Sequence, residues 1–342
     1  MSVISIASRV PEAARAAVRL AWARRASGVA DLALERASAD AGFRTYWRAH
    51  TADGSLIVMD SPPALEDVRP WLRMHAVLEA GGVRVPRVLA RDEDAGFLLM
   101  EDLGGETWLQ VVDRLDPEAT FDLAIDQLLT LQQLECPPDL PAYDAALLQR
   151  ELDLFEEWYL GRHLGVTLDA GERADLARVH ALLIESALAQ PQVFVHRDYM
   201  PRNLMPVEGG LAVLDFQDAV RGPVAYDPVS LVRDAFHSWE PARVDAWLGR
   251  YHARAQAAGI PVPALEQFRR DADLIGVQRH LKVLGIFARL NYRDGKPKYL
   301  ADAERFLTYL RDVAGRYPEL APLLPLLDIP TGPSPTAACR LL

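Results

Sequence analysis

The residues best suited to chemistry lie in one short stretch between two apolar runs. His196, Arg197 and Asp198 follow the run VFV. Asn203 comes five residues after Asp198, and Asp215 follows a second apolar run, LAVL. Phosphoryl transfer from ATP needs an acceptor hydroxyl held in place, a base for its proton and a metal that neutralises phosphate charge. A carboxylate and an amide on one loop, with a second carboxylate at a neighbouring strand end, meet those needs.

This spacing assigns a role to each side chain. Asp198 is predicted to accept the hydroxyl proton, and His196 to orient the loop by hydrogen bonding. Asn203 and Asp215 offer the oxygen ligands that Mg²⁺ prefers, so we predict that they bind the metal at the terminal phosphates. Each residue alone also fits an ordinary turn or helix cap. Their agreement in type and spacing within one strand-loop-strand context favours the catalytic interpretation.

The surrounding sequence divides into a β-rich and a helical part. Residues 32–60 alternate in hydrophobicity around the turn signal Asp53-Gly54, which predicts three antiparallel strands. A helix at 64–80, ending at Gly81-Gly82, and strands in VPRVLA and AGFLLM complete this part. Helices are then predicted at about 117–135, 144–163, 170–189, 228–237, 241–258, 263–290 and 298–315.

These elements predict an α+β, bilobal fold with a small antiparallel N-lobe, containing one helix, and a mostly helical C-lobe. A length of 342 residues is enough for two hydrophobic cores. The predicted divisions are an N-terminal helix within 1–30, a nucleotide-binding N-lobe at 31–103, a C-lobe with the catalytic loop and acceptor site at 104–330, and a loose tail at 331–342.

Composition and charge exclude several classes of protein. The chain has 37 Lys and Arg against 48 Asp and Glu, a net charge of −11, which disfavours nucleic acid and anionic membranes as partners. The two cysteines, Cys136 and Cys339, show neither metal-ligand spacing nor a disulfide framework. The sequence shows no secretory signal and no apolar run of about 18 residues, so we expect a cytoplasmic protein. Its oligomeric state is not predicted.

Two segments carry a resemblance to a known superfamily. HRDYMPRNLM resembles the catalytic loop of the aminoglycoside phosphotransferase and choline kinase-like superfamily, and LDFQDAVRGPVAYDP resembles its metal-binding segment. Only eleven residues separate Asp215 from Asp227, and no Ala-Pro-Glu follows, so a protein-kinase activation loop does not fit. The resemblance implies a protein-kinase-like fold, ATP and Mg²⁺ as cofactors, and a small-molecule acceptor.

Longer segments narrow this resemblance. VMDSPP, YDAALLQRELDLFEEWYLGRHLG, HRDYMPRNLM and GVQRHLKVLGIFARLNYRDGKPKYL are similar to the bacterial N-acetylmuramate/N-acetylglucosamine anomeric kinases. That likeness implies phosphorylation of the C1 hydroxyl of an amino sugar in peptidoglycan recycling. An aminoglycoside or other small-molecule hydroxyl kinase, a nucleotide-binding pseudokinase, and a scaffold without a ligand are the alternatives.

The nucleotide-binding part departs from the usual kinase pattern. The turn SADAGFR has a single glycine, and backbone N–H groups of Ala41, Gly42 and Phe43 are the predicted phosphate contacts. The third strand has Met59 where kinases bring a lysine to the phosphates. Either Arg44 supplies the cation instead, or the site is degenerate. The complete set of predicted catalytic and metal residues favours an active enzyme.

The adenine and the acceptor are assigned to other regions. The backbone of Glu101, Asp102 and Leu103 is predicted to contact adenine. A cationic pocket suits the lactyl carboxylate of N-acetylmuramate, whereas carboxylates suit an aminoglycoside. The candidate acceptor contacts are the basic residues Arg279, Lys282 and Arg289 and the aromatic residues Tyr226 and Trp239. Alternatively, the basic residues form a solvated helix face and the aromatic residues belong to an ordinary core.

Overall fold

The computed structural model of the chain describes residues 12–38, 43–234 and 236–329. Their contacts form two compact units. Unit 1 contains the chain up to Gln127 together with Arg202–Gln217, and unit 2 contains Leu128–Pro201 together with the chain from Asp218 onwards. The sequence predicted domain boundaries at residues 30, 103 and 330. The division into two units does not test those boundaries, so they stay predictions.

Short strands come first along the chain and long helices follow. In chain order the strands are β1 (Leu34–Ser38), β2 (Thr45–Thr51), β3 (Gly54–Asp60), β4 (Val88–Asp92), β5 (Phe97–Glu101), β6 (Gln192–Val195), β7 (Leu204–Val207), β8 (Gly210–Val213) and β9 (Val220–Pro223). The α-helices are α1 (Glu12–Ser27), α2 (Arg69–Ala80), α3 (Trp108–Val111), α4 (Pro117–Gln132), α5 (Ala145–Leu154), α6 (Ala170–Ala189), α7 (Tyr226–Val232), α8 (Pro241–Ala257), α9 (Leu265–Tyr292), α10 (Ala303–Arg316) and α11 (Leu324–Leu327). This order confirms the predicted α+β class.

Unit 1 is built on an antiparallel sheet with the strand order β1-β2-β3-β5-β4. The Asp53-Gly54 turn joins β2 to β3, with Gly54 at a φ of 133° that suits glycine. In the register of these strands Arg48 pairs with Ile57, and Ile57 pairs with Met100. Because side chains alternate between the two faces of a strand, Tyr46 and Arg48 on β2 share one face.

Helix α2 begins at Arg69, five residues later than the predicted start at 64. The preceding segment contains Pro62 and Pro63, and the backbone N–H groups of Leu65 and Glu66 donate to the Pro62 carbonyl in a turn. A helix starting at 64 would place Pro70 in its interior, where proline removes a backbone hydrogen bond and clashes with the preceding turn, which explains the late start. Pro70 occupies the first turn of the helix, where a missing N–H costs little.

Helix α1 packs on the sheet of unit 1 through both apolar and ionic contacts. Trp22 stacks on Phe97 with ring centroids 5.4 Å apart. Arg15 and Arg19 each reach a carboxylate oxygen of Asp60 at 2.7 Å, and both Arg19 and Asp60 are buried. These two arginines therefore do not form a solvated basic face, because Asp60 at the end of β3 pairs with both.

Helix α9 is the centre of unit 2. It packs against α5, α6, α10 and the π-helical segment Phe155–His163, which continues α5 directly. At Gly285 a side chain would meet the Leu154 backbone at 2.4 Å, so glycine permits the close approach of α9 to the end of α5. Most residues of α9 are buried, including charged ones. No helix in the described ranges is long and apolar enough to cross a membrane.

We predict that Asp60→Ala lowers the free energy of unfolding by about 3 kcal/mol, because it leaves the buried Arg19 guanidinium without its main partner. Urea unfolding followed by circular dichroism measures the change. Asp113→Ala, at an exposed position, is the matched control. If the two variants unfold at the same urea concentration, the ion pairs of α1 do not stabilise unit 1 as described.

Candidate active site

The loop that carries Asp198 is anchored by one buried carboxylate in unit 2. Asp227 lies in the first turn of α7 and is fully buried. Its two oxygens accept hydrogen bonds from the backbone N–H groups of His196 at 2.7 Å and Arg197 at 3.0 Å. Burial raises the pKa of Asp227 to about 7, and the two N–H donors oppose that rise because they favour the carboxylate. The loop is thus held by its main chain.

Arg197 takes up a strained backbone conformation next to the predicted base. Its φ is 74°, a left-handed value that non-glycine residues seldom adopt. The guanidinium binds the Glu151 carboxylate and lies over the Tyr143 ring, 5.5 Å from its centroid. Strain of about 1–3 kcal/mol at such a position persists only where surrounding contacts hold it. Here the main chain bonds to Asp227 and the side chain bonds to Glu151.

Glu151 is the centre of a buried polar cluster. Besides Arg197, its carboxylate contacts Lys282 Nζ at 3.3 Å and Gln278 Nε2 at 3.1 Å, and it accepts from the Tyr143 hydroxyl. Burial alone raises the pKa of Glu151, but the charges of Lys282 and Arg197 lower it below its ordinary value. The cluster therefore keeps this carboxylate ionised and in place.

The side chains of the loop itself point in different directions. His196 is fully buried, and its Nδ1 accepts a hydrogen bond from the Asp198 backbone N–H at 3.2 Å. Its ring also meets the Tyr199 ring edge-on, with centroids 5.8 Å apart. Asp198 is half-buried. His196 thus supports the backbone of Asp198 from inside unit 2.

The two predicted metal residues lie together in unit 1. Asn203 ends the 3-10 turn Pro201–Asn203, and its backbone carbonyl accepts from the Leu214 N–H at 2.9 Å. Asp215 follows β8 with a φ of 61°, a left-handed conformation that aspartate tolerates better than most residues. Both residues line a cavity of about 360 Å³. That volume falls in the range of small-molecule sites, about 300–1,000 Å³.

The donor set of this cavity fits a hard cation that shares its ligands with phosphate. An amide oxygen and a carboxylate are suitable ligands for Mg²⁺, which usually takes one or two protein carboxylates and completes its shell with water and phosphate oxygens. Within residues 12–38, 43–234 and 236–329, no group of three His, Cys, Asp or Glu side chains is placed to hold a metal by itself. Asn203 and Asp215 would therefore act together with the phosphates.

The predicted adenine contacts also line the cavity of unit 1. Glu101, Asp102 and Leu103 form part of its wall. The Glu101 N–H donates to the Arg87 carbonyl at 3.0 Å, and its carboxylate binds Arg84 and Arg87. These bonds occupy the N–H and the side chain of Glu101. Asp102 and Leu103 are therefore better placed than Glu101 to contact adenine.

Arg48 is a cavity residue that the sequence analysis missed. It donates to Asp102 at 2.5 and 3.1 Å and to the Gly104 carbonyl at 2.8 Å. Burial alone raises the pKa of Asp102, but hydrogen bonds from Arg48 and Ser55 lower it below its ordinary value. The alternation of β2, which places Tyr46 and Arg48 on one face, is the signal that could have identified Arg48.

The phosphate-binding prediction falls partly outside the described residues. Ala41 and Gly42 lie outside them, and Phe43 is exposed. Arg44 is largely buried, pairs with Glu66 at 3.2 Å and donates to Gln217 at 2.9 Å. Met59, at the lysine position, is fully buried.

Helix α2 presents an aromatic residue where kinases usually have the glutamate that pairs with that lysine. Trp71 packs on Phe216, with ring centroids 5.0 Å apart, and both rings line the cavity. The acidic partner lies instead in the turn before α2, at Glu66. The sequence analysis missed Glu66 because its pairing with Arg44 is a tertiary contact between residues that are distant in sequence.

The predicted acceptor residues lie in unit 2, and the structure brings only some of them together. Lys282 Nζ donates to the Tyr226 hydroxyl at 2.8 Å, and both side chains are buried. Arg279 is buried and donates to the Arg233 carbonyl at 3.4 Å. The remaining two are Trp239, which meets Trp247 edge-on at 4.8 Å, and Arg289, which is half-buried.

Comparison with known proteins agrees with this geometry. Residues 33–260 match the model of the APH family, the phosphotransferase enzyme family. A choline kinase structure from Streptococcus pneumoniae has a TM-score of 0.60 at 14% identity, covering 87% of this chain and 99% of that one. An ADP-bound aminoglycoside phosphotransferase has a TM-score of 0.58 at 14% identity, covering 84% and 96%. These likenesses confirm the predicted protein-kinase-like fold.

The chain therefore belongs to the phosphotransferase enzyme family and is an enzyme of that class. Among curated proteins it is 54% identical to an N-acetylmuramate/N-acetylglucosamine kinase from Pseudomonas putida, over 85% of this chain and 86% of that protein. A kinase of the same name from Neisseria meningitidis is 46% identical, over 87% and 90%. Relatives that are kinases imply ATP as the phosphoryl donor.

We predict that Asp227→Asn lowers both stability and turnover. An amide has one oxygen to accept a hydrogen bond, so one of the two buried backbone donors loses its partner, at about 1–3 kcal/mol. Urea unfolding and steady-state kinetics measure the two effects. Asp139→Asn, which makes the same change at an exposed position, is the control. Wild-type stability and turnover in Asp227→Asn would refute the anchoring role.

Proposed function

We propose that this protein transfers the terminal phosphoryl group of ATP to the C1 hydroxyl of N-acetylmuramate or N-acetylglucosamine. The observation that carries the proposal is the 54% and 46% identity to kinases named for these two sugars, over most of each chain. Segments around the catalytic loop and along α9 resemble the anomeric kinases, which favours C1 as the acceptor position. The product is a sugar 1-phosphate, consistent with a role in peptidoglycan recycling.

In this proposal Asp198 receives the proton of the C1 hydroxyl. The C1 oxygen forms a bond to the terminal phosphorus while the bond from that phosphorus to the bridging oxygen breaks, and ADP leaves. Such a transfer depends on alignment more than on covalent help from the protein. The bonds of Asp227 and Glu151 to the strained Arg197 support the proposal because they fix the backbone just before Asp198.

Asn203 and Asp215 are the residues proposed to hold Mg²⁺. Their side chains line one cavity and provide an amide oxygen and a carboxylate. When bound, Mg²⁺ neutralises the charge of the terminal phosphates. Asp215 lies two residues after the end of β8 and has a left-handed φ of 61°.

The cavity of unit 1 is proposed to hold the nucleotide. Ile57, Met100 and Leu214 supply apolar wall for the adenine ring. The backbone of Asp102 and Leu103 is then available for the polar edge of adenine. At the phosphate end we assign Arg44 as the cation, with Phe43 beside it in the turn that precedes β2.

N-acetylmuramate carries a lactyl carboxylate, and binding it requires a cation with few competing contacts. Arg279 and Lys282 are buried with internal partners. Arg289 is half-buried, and burial together with the charge of Arg293 lowers its pKa. The carboxylates of Asp294 and Glu157 offset this lowering only in part, and an added anion would stabilise the charged form further, so we assign Arg289 to the lactyl carboxylate of N-acetylmuramate.

We predict that Asp198→Asn retains the fold and the affinity for ATP but loses turnover by about 10²–10⁴-fold, since a positioned base contributes about that much. A coupled assay for ADP formation measures turnover, and calorimetry measures ATP affinity. Asp139→Asn controls for the charge change at an exposed position. Turnover of Asp198→Asn within a few-fold of the wild type would remove Asp198 from the mechanism.

The acceptor position is tested with sugars blocked at C1. We predict that 1-O-methyl glycosides of both sugars are not phosphorylated, although they retain every other hydroxyl, whereas the free sugars are. NMR that correlates phosphorus with ring protons locates the phosphate, and aminoglycosides and choline serve as comparison acceptors. Phosphate on C6, or equal rates with the methyl glycosides, would exclude C1. Faster reaction with an aminoglycoside would change the acceptor class.

A further inference from the structure

Four side chains of unit 1 form a continuous polar chain that ends at the proposed metal site. Glu66 Oε1 lies 3.2 Å from Arg44 Nε. Arg44 Nη1 donates to Gln217 Oε1 at 2.9 Å, and Gln217 Nε2 donates to Asp215 Oδ1 at 2.9 Å. Each member touches the next, so a change at Glu66 has a physical route to Asp215.

The direction of these hydrogen bonds follows from the chemistry of the groups. A guanidinium only donates, so the Gln217 atom facing Arg44 must be the amide oxygen. The amide NH₂ then faces Asp215, where an ionised carboxylate only accepts. A side chain that both donates and accepts is needed at position 217 to satisfy both neighbours. Glutamine meets that need and keeps the charges of Arg44 and Asp215 apart.

Both ends of the chain are held by the backbone. The Glu66 N–H donates to the Pro62 carbonyl at 3.0 Å, and the Glu66 carbonyl accepts from the Ser61 hydroxyl at 3.0 Å. At the other end Asp215 has a left-handed φ of 61°. A carboxylate can still rotate about its own bonds from such a backbone, and the Gln217 amide restricts that rotation.

We propose that Gln217 is a positioning residue that couples Arg44 to Asp215, so that the phosphate-binding cation and the metal-binding carboxylate are oriented together. Glu66 and Arg44 would then replace the lysine-glutamate pair that is missing at Met59, and Gln217 would connect that pair to the metal ligand. The inference rests on the proposed roles of Arg44 and Asp215, but it does not depend on the identity of the acceptor.

The test measures metal affinity directly, without an acceptor. Mn²⁺ binding to the full chain with ADP is followed by electron paramagnetic resonance for the wild type and for Gln217→Met, which keeps the side-chain length but loses both hydrogen bonds. Loss of an orienting partner of a metal ligand lowers affinity by about tenfold or more. We expect that loss for Mn²⁺, together with a smaller loss of ADP affinity in the absence of metal, because Arg44 also loses a hydrogen-bond partner. Gln256→Met, at an exposed position of α8, is the control.

A second variant approaches the same chain from its other end. Glu66→Gln removes the charge that holds Arg44, and we expect it to weaken Mn²⁺ binding in the same direction. In the double variant the two losses should not add, because the effect of Glu66 is transmitted through Gln217. Additive losses would overturn the coupling. Should Gln217→Met fail to fold, unchanged Mn²⁺ affinity in Glu66→Gln would overturn it as well.

Asp215→Ala separates failure of this inference from failure of the proposed metal site. If Asp215→Ala loses Mn²⁺ while Gln217→Met binds it like the wild type, Gln217 is only a structural contact and the inference is wrong. If Asp215→Ala also binds Mn²⁺ like the wild type, the metal assignment itself fails. A structural role alone would lower the thermal unfolding temperature of Gln217→Met without changing its Mn²⁺ affinity.

Discussion

The two hydrogen bonds that Asp227 accepts from the backbone of His196 and Arg197 set the geometry of the loop that carries Asp198. A carboxylate offers acceptors to two consecutive N–H groups at once, and consecutive N–H groups converge only when the chain turns sharply. The left-handed conformation of Arg197 supplies that turn. The backbone strain of Arg197 is offset by its N–H bond to the buried Asp227 carboxylate and by the ion pair of its side chain with Glu151. Asp198, the next residue, takes its direction from this arrangement.

Buried charges in this protein are held in groups that satisfy each other. In unit 2 Glu151 forms ion pairs with Arg197 and Lys282, and in unit 1 Asp60 forms ion pairs with two arginines of α1. Taking a single charge out of water is expensive, and only close partners with good hydrogen bonds offset that cost. The Glu151 cluster holds Arg197, the residue before Asp198, and the Asp60 cluster joins α1 to β3.

Unit 1 shows how a kinase-like fold can lack the usual strand lysine. The lysine position holds Met59 in the interior, and the acidic partner has moved from α2 to the turn before it, at Glu66. Trp71 occupies the helix position and packs on Phe216. In the proposed assignment Arg44, in the turn before β2, supplies the cation, and Gln217 connects it to Asp215.

The sequence by itself determined the class of fold and the family, together with the residues expected to act in the loop. The strands and most helices follow from local periodicity and turn residues, and the spacing from His196 to Asp215 follows from a short segment whose geometry is largely local. Pairings between distant residues were decided only by the tertiary structure: Arg48 with Asp102, 54 residues apart, and Gln278 with Glu151, 127 apart. The burial of Arg279 and Lys282 within α9 was likewise invisible, because a basic residue on a helix has the same local pattern whether it meets water or a buried carboxylate. Secondary-structure propensity depends on residues that are neighbours in sequence, whereas the partner of a charged side chain depends on which elements pack together.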